Sequence, residues 1–520
     1  MIRKLYPKYL LAILSGLLFS AAFYSVYLSP LAWICLIPLF ISIYDEGPGD
    51  SFRFGLVFGM AASFAGQYWL IGTLTRFGGF PLLISLIFIL IFCIYAGLQY
   101  ALFTYICSKF KLISNKTLLT LIAAGCVWIT LEYYFPKLFP YGIGNSQGMN
   151  TTFIQVSDIF GLHFLSFIIV LVNIALFRIY SGLRSGQHIP LSGIAAPVIL
   201  VLFMISYGKY KIGIETSNIE RAPKIKAGIV QANFDFFEKN EENSDKLTDK
   251  HKLMSHKLKG ADLIIWPETA VQSWLPLDAE YYKQDGVSVV PDMDDTLFLI
   301  GGLSFKEKGG SGENRPEGEF TKYNSAFLLT SKGEVLGRYN KIELLMFGEY
   351  MPFSGIIPSI KKLSPATGDF TPGSKINLLE SREKGLRIGT LICYEDIIPY
   401  YSRQFVRKGA NLLVNLTNDA WFGKSVAPYQ HLLVAIPRAV ETRRSFIRST
   451  NTGVSAFIDS AGRVIYRSDI FEDAAVKKEI ALMDSEETIY VRLGEIFPLA
   501  CMIFSIFFIY YIYLGKRYIR

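Results

Sequence analysis

Charge is scarce in this chain of 520 residues: Asp, Glu, Lys and Arg make up 18% of it, against about 25% in an ordinary soluble domain. That excludes a disordered protein and a single soluble globule. Histidine and cysteine are scarcer, at five and six. Five of the cysteines, Cys35, Cys93, Cys107, Cys126 and Cys501, lie in apolar blocks, where a thiol acts as a small hydrophobe. Cys393 stands alone in mixed sequence, so there is no disulfide framework. No cysteine pair has zinc-ligand spacing and the histidines do not cluster, so no metal site is expected. The net charge of +8 is modest, and many of the basic residues flank apolar blocks instead of interleaving with aromatics on a soluble stretch. Nucleic-acid binding is therefore not expected. There is no internal repeat.

What the chain has is apolar sequence: 51% hydrophobic and 15% aromatic, concentrated in residues 9–207 and 496–514. A membrane span needs about 20 apolar residues to cross about 30 Å of hydrocarbon. Eight blocks qualify: 9–25, 29–44, 53–73, 80–107, 117–135, 163–180, 190–207 and 496–514, the second being short and containing Pro38. The first is not a signal peptide, because further spans follow at once without a small-residue cleavage site. Lys and Arg set the orientation. Arg3, Lys4 and Lys8, then Lys109, Lys111 and Lys116, then Arg178 and Arg184, and finally Lys516, Arg517 and Arg520 all fall on one side, against Arg76 and Lys137 on the other. Both termini are expected in the cytoplasm, and the large domain after the seventh span outside it. Residues 136–162 form a Gly-, Asn- and aromatic-rich connection, read either as an ordered loop under that domain or as a wall of a lipid-facing cavity.

The expected organisation is a membrane domain at 1–220, a soluble domain at 221–485, and a last span with its tail at 486–520. Within the soluble domain, β-branched apolar runs recur at Ile225–Gln231, Leu263–Trp266, Leu297–Leu303, Ser325–Leu329, Leu386–Cys393, Leu412–Leu416 and Val454–Ile458. Helical patterns lie at 241–259, 396–408 and 428–447. Alternation of this kind indicates an α/β sandwich. Residues 305–321 read as a charged, Gly-rich surface loop. The apolar stretch 343–358, with two Gly and two Pro, reads as a lid facing lipid or else as core filling.

Three residues sit at or near the ends of strand-like runs or motifs: Glu268 in IIWPETA, Lys341 in GRYNKIELLMFGEY, and Cys393 in LRIGTLICYED. A thiol needs a base to become a nucleophile, and an ammonium can stabilise an oxyanion. Each residue also has an ordinary explanation, as a core thiol, a helix-terminal carboxylate or a surface lysine. By type and position alone the reading stops at an extracytoplasmic α/β domain, with a thiol enzyme as one option.

The motif context goes further. WPET, YNKIELLMFGEYMPF, ICYED and NLTNDAWFG together resemble the nitrilase superfamily, which carries a Glu–Lys–Cys triad on an α-β-β-α sandwich. With eight spans around it, and with PYQH and RSTNTGVSAFIDSAGRV besides, the chain resembles that superfamily's membrane-embedded branch, the apolipoprotein N-acyltransferases. The resemblance implies a polytopic helical membrane domain of about eight spans plus an extracytoplasmic nitrilase-like domain, in the bacterial inner membrane. It implies transfer of a fatty acyl chain from a membrane phospholipid to the α-amine of the diacylglyceryl-cysteine of an apolipoprotein, through a Cys thioester and without a cofactor. It maps Glu268, Lys341 and Cys393 onto the triad. Glu349 becomes a second carboxylate that orients Lys341 or the incoming amine, and Glu395 a holder of the lysine or of a helix start. Tyr394 follows the nucleophile, while Asn418, Trp421 and Phe422 wall the pocket. The match departs at Ile342, Glu343 and Leu344, where the family has a basic, His-containing stretch, and at Phe236 and Phe237, where it often has a Trp. The rival readings are a membrane-tethered amidase using water as acceptor, and a transporter, which would need ionisable residues in several spans.

Overall fold

The computed structural model describes residues 2–186, 190–307, 320–351 and 368–518. The expected surface loop at 305–321 and the expected lid at 343–358 lie partly outside the described residues. The chain forms two compact units. One comprises Met1–Ile71, Pro81–Ile214 and Thr488–Arg520, and the other Gly72–Phe80 and Glu215–Glu487.

The first unit is helical. Among the described residues, four helices are long and apolar enough to cross a membrane: Leu82–Lys109, Leu162–Ser185, Leu191–Arg221 and Ile496–Leu514. The bent pair Pro48–Gln67 and Leu70–Phe77 raises this to five if it counts as one span, and three shorter apolar helices cover Tyr6–Ala21, Ser29–Ile43 and Leu118–Tyr134. Helices Pro48–Gln67 and Leu82–Lys109 cross closely through glycines. A Cβ on Gly59 would run into the Cα of Gly97 and the ring of Tyr100. Small residues permit that approach where apolar burial alone does not drive helices together.

Buried ionisable side chains of this unit include Arg178 and Glu132. Arg178, counted above among loop residues, sits within Leu162–Ser185 and is 2% exposed. The helix runs on to Ser185, so Arg178 is still helical, and its guanidinium lies under the 112–117 connection. There it donates to the carbonyls of Asn115 (2.8 Å), Leu112 (2.9 Å) and Thr117 (3.0 Å) and to the Thr120 hydroxyl (3.1 Å). Glu132 accepts from Trp128 Nε1 at 3.0 Å and the Ile143 N–H at 2.9 Å, and pairs with His163 Nδ1 at 3.0 Å. It thereby anchors the 136–162 connection, which is ordered as a 3-10 turn at Ile143–Gln147 and short helices at Thr151–Ile154 and Ser157–Phe160.

The second unit holds fifteen strands among its described residues: β1 Lys224–Gln231, β2 Leu263–Ile265, β3 Trp274–Pro276, β4 Lys283–Gln284, β5 Val287–Ser288, β6 Leu297–Glu307, β7 Phe320–Leu329, β8 Val335–Asn340, β9 Leu379–Ser381, β10 Leu386–Ile392, β11 Leu412–Thr417, β12 Ser445–Thr450, β13 Ala456–Ile458, β14 Val464–Arg467 and β15 Ala474–Ala481. One sheet runs β15-β1-β2-β6-β7-β8, with β3 added to β6, and the other β14-β13-β12-β11-β10-β9. The centres, β1-β2-β6 and β10-β11-β12, are parallel. These strands are buried along most of their length, which is why they read as continuous apolar runs. The sheets meet face to face: the Ser449 hydroxyl on β12 lies within hydrogen-bond distance of the Val230 and Ile265 carbonyls (3.3 and 3.2 Å) of the other sheet. Helix Ser244–His256 covers the first sheet through Trp266, whose Nε1 donates to Ser255 at 2.9 Å. On the second sheet, a Cβ on Gly389 would meet Phe405 of helix Pro399–Arg407. The second unit is thus a nitrilase-like α/β fold with helices outside two packed sheets.

The expected single helix at 428–447 is corrected. Helices span Ala427–Ala435 and Pro437–Thr442, and β12 begins at Ser445. Pro437 starts the second helix, and Arg443, at φ 50°, turns the chain out of it. The whole stretch is buried, so it shows no polar face by which the helix-to-strand change could be read.

Replacing Arg178 by Met leaves three buried carbonyls and a hydroxyl without their donor, at about 1–3 kcal/mol for each group that water cannot reach. The variant is expected to melt well below the wild type in detergent, and Arg178→Lys to recover part of the loss. A melting temperature unchanged by Arg178→Met would contradict the tethering role.

Candidate active site

Three loops leave strand ends and meet in one buried cluster. After β2 the chain passes Trp266 and Pro267 to Glu268. A Cβ on Gly301 of β6 would collide with the Pro267 carbonyl and the Glu268 Cα, so glycine is what lets the Glu268 backbone lie against the sheet. After β8 comes Lys341, whose N–H is tied to the Asn324 carbonyl of β7 at 2.9 Å. After β10 comes Cys393, at φ 51°, a left-handed elbow that a non-glycine residue adopts only at an energetic cost.

Lys341 Nζ lies 2.6 Å from Glu349 Oε2 and 3.6 Å from Glu268 Oε1, and all three side chains are largely buried. Asn324 Nδ2 donates to both carboxylates, at 2.7 Å to Glu268 and 2.9 Å to Glu349. Glu349 Oε2 also accepts the Leu345 N–H at 2.9 Å. Burial pushes the Cys393 thiol up, Glu268 and Glu349 push the same way, and Lys341 pulls against them. Glu268 is likewise raised, by burial first and by Glu349, against the pull of Lys341 and Asn324. Burial alone would lower Lys341, but Glu349, Cys393 and Glu268 overcome it and hold the ammonium charged. Lys341 therefore faces two carboxylates and a thiol. Glu349 takes the close pairing, which leaves Glu268 and Cys393 competing for a proton. Such a cluster can deprotonate a thiol, hold a positive charge beside a developing oxyanion, and return the proton.

Comparison with known proteins finds relatives of both parts of the chain. The carbon-nitrogen hydrolase family model matches residues 226–490, and the apolipoprotein N-acyltransferase N-terminal domain model matches residues 15–175. The apolipoprotein N-acyltransferase of Geobacter metallireducens is 35% identical over 95% of this chain and 93% of its own length. The chain belongs to the apolipoprotein N-acyltransferase family. The Bdellovibrio bacteriovorus family member is 30% identical over 93% of this chain and 90% of its own. Among solved structures, an amidase from Nesterenkonia sp. aligns with 54% of this chain and 96% of its own at 17% identity, with a TM-score of 0.34.

Around the cluster, the other residues singled out from the sequence fall in distinct places. Glu395 Oε1 accepts from the Ile342 N–H (2.7 Å), the Tyr339 hydroxyl (2.8 Å) and the Glu343 N–H (3.1 Å), and Oε2 from the Ile392 N–H (2.8 Å). It thus holds the backbone that follows Lys341 and the turn that carries Cys393, and its hydrogen bonds do not include the lysine ammonium. Burial pushes it up to about 7 against those donors and Lys341. Tyr394 is half-buried, its hydroxyl raised by burial and by Glu343. Asn418 caps the turn Asp419–Phe422, accepting from the Ala420 N–H at 3.3 Å and from Asn451 Nδ2 at 3.1 Å. Trp421 packs edge-on against Phe77, which stacks on Phe237; Trp421 and Phe422 are half-buried. In the stretch read as a lid, Leu344 is buried, while Met346 and Phe347 are 39% and 58% exposed.

Four features escaped the sequence reading. Asn324 spans the two carboxylates. Lys239 donates to the Glu268 carbonyl (2.8 Å) and the Thr269 hydroxyl (3.0 Å); burial pulls it down to about 8, against Glu268. Asn415 Nδ2 donates to the Cys393 carbonyl at 3.1 Å. Behind the elbow, His431 lies between Asp419 (Nδ1, 2.8 Å) and Asp396 (Nε2, 2.8 Å), and Arg448 pairs with both carboxylates. His431 stands in PYQH and Arg448 opens RSTNTG, so the motifs were visible, but nothing in the spacing pairs them with two aspartates.

Burial and the Arg448 guanidinium, 2.7 Å from Nδ1, oppose a charge on His431; Asp396 and Asp419 outweigh them and push it up to about 9. This folded value lies above the unfolded value of about 6.5. The network therefore contributes its full stability below about pH 6.5 and loses it as pH rises through about 9. The loss of melting temperature caused by His431→Gln is expected to be greatest near pH 6 and to shrink by about pH 9.5. A loss independent of pH would contradict the charged form.

Proposed function

We propose that this protein N-acylates bacterial lipoproteins, taking a fatty acyl chain from a membrane phospholipid and passing it to the α-amine of a diacylglyceryl-cysteine. The observation that carries the chemistry is the buried Lys341 ammonium between Glu349 and Glu268, electrostatically coupled to Cys393. In this reading Glu268 takes the Cys393 proton and the thiolate attacks the ester carbonyl. Lys341, with backbone N–H groups near the elbow, stabilises the oxyanion. Protonated Glu268 then gives its proton to the departing lysophospholipid oxygen, leaving a thioester. The acceptor amine attacks, Glu268 takes its proton, and the sulfur leaves as a thiolate that Glu268 reprotonates. The thioester already activates the acyl group, so the reading calls for no cofactor. Glu349 fixes the lysine, and Asn324 keeps the two carboxylates apart.

Both substrates are anchored in lipid. Extracting a chain into water costs about 0.8 kcal/mol per CH₂, so an enzyme working at the membrane avoids most of that. We read the eight apolar blocks as spans of the inner membrane, the three short helices included, with residues 1–220 as the membrane domain, 221–485 as the catalytic domain on the outer side, and 486–520 as the last span and cytoplasmic tail. The exposed Met346 and Phe347 suit a loop that meets acyl chains. The membrane-tethered amidase differs in its acceptor: labelled phospholipid would release free acid at the same rate with and without an amine.

Cys393→Ala is expected to abolish acyl transfer in a protein that still inserts and folds. Glu268→Gln and Lys341→Ala should each cost about 10²–10³ in rate or more. Raising the pH should partly restore Glu268→Gln, by forming thiolate without the base, and leave Lys341→Ala unchanged. Unimpaired turnover by Cys393→Ala, or identical pH profiles for the other two, would remove these roles.

The orientation is tested separately. Val287, 64% exposed on the β4–β5 hairpin, is replaced by Cys. A membrane-impermeant maleimide should label it in intact spheroplasts; labelling only after lysis would reverse the topology.

A further inference from the structure

Cys393 follows β10, and Thr417 ends β11. The strands are parallel, with Leu391 beside Asn415 and Ile392 beside Leu416, so the next step of the register sets Cys393 beside Thr417. Side chains alternate along a strand, which puts Asn415 and Thr417 on one face. Asn415 is fully occupied there: Nδ2 donates to the carbonyls of Cys393 (3.1 Å) and Leu391 (3.4 Å), and Oδ1 accepts from Arg448 (3.1 Å). Thr417 is not. Its side chain is completely buried, its hydroxyl has no hydrogen-bond partner among the described residues, and the group it acts on electrostatically is the Cys393 thiol. Buried hydroxyls are nearly always bonded. One left open beside a nucleophile fits a partner that exists only during the reaction.

We propose that Thr417 is a further catalytic residue, whose hydroxyl donates a hydrogen bond to the Cys393 sulfur while that sulfur is a thiolate. The inference rests on the reading of Cys393 as the nucleophile. The hydroxyl keeps its proton throughout. A thiol or thioester sulfur is a weak acceptor and a thiolate a strong one. The bond therefore forms when Glu268 takes the proton, lapses in the thioester, and forms again as the amine displaces the sulfur. The groups acting on Cys393 are few. Burial, Glu268 and Glu349 oppose the thiolate; Lys341 and the Thr417 hydroxyl favour it; Arg448 lies behind the elbow. Thr417 is the uncharged member of the favouring pair, and it adds nothing to the charge that Lys341 must balance.

The test uses the full-length enzyme in detergent. Alkylation of Cys393 by iodoacetamide is followed against pH, read from the mass of the Cys393 peptide, in the wild type, Thr417→Val and Thr417→Ser. Valine matches threonine in volume and carries no open hydroxyl, so its melting temperature should hold or rise. Its alkylation profile should move to higher pH by about one unit or more, with roughly tenfold less reaction at a fixed pH on the acid limb. Serine should return the profile towards wild type. A valine profile that overlays the wild type overturns the inference, as does a lowered melting temperature with an unmoved profile. If valine prevents folding, Thr417→Ala is read in its place by the same criteria. Wild-type enzyme that still transfers acyl groups after full alkylation of Cys393 would instead overturn the nucleophile reading, so the two failures are distinct.

Discussion

A single buried ammonium organises the catalytic unit. Lys341 cannot stay charged out of water unless carboxylates face it, and two do, at unequal distance. That inequality divides the labour. The nearer, Glu349, neutralises the cation and, through the Leu345 N–H, fixes the start of the exposed turn. The farther, Glu268, keeps a raised proton affinity beside a thiol raised for the same reason, burial. A carboxylate with raised proton affinity is a stronger base towards the thiol, and proton exchange between base and thiol is what acyl transfer at sulfur needs. Asn324 prevents the obvious failure, a close carboxylate pair sharing a proton, by donating to both.

The rest of the second unit keeps the three strand ends in place. The elbow at Cys393 is strained, and a strained residue persists only where its surroundings over-determine it. Here Glu395 holds the turn from one side and Asn415 from the other. Arg448, His431, Asp396 and Asp419 form a fully buried set of two cations and two anions behind it. Burying so much charge is a poor route to stability and a good one to a single geometry.

Much of this was legible in the sequence, for identifiable reasons. Long apolar blocks and short β-branched runs report burial directly, so the helical unit, β1, β2 and β6 of one sheet and β10 and β11 of the other could be read, while β12 began inside a stretch read as helix. Glu268, Lys341 and Cys393 could be singled out because each stands in a strand-end motif whose residue types suit one chemistry. The edge strands β8 and β15, with charged residues among their apolar ones, were not legible. Nor was the break at Pro437–Arg443, because a stretch buried on all sides has no face to give its period. Arg178 read as an orienting cation because a charge at the end of an apolar block ordinarily marks a boundary; its carbonyl partners at 112–117 lie some 60 residues away. The same holds for His431, Thr417 and Asn415, whose roles arise only when parallel strands bring separate segments side by side.

The central claim is that Cys393 carries the acyl group between donor and acceptor. Purified protein incubated with phospholipid, and without a lipoprotein acceptor, is digested and its peptides weighed. The account predicts a mass increment of one fatty acyl chain on the peptide containing Cys393, lost when a diacylglyceryl-cysteine peptide is added. Turnover with Cys393 unmodified throughout, or an acyl group accumulating on another residue, would contradict it.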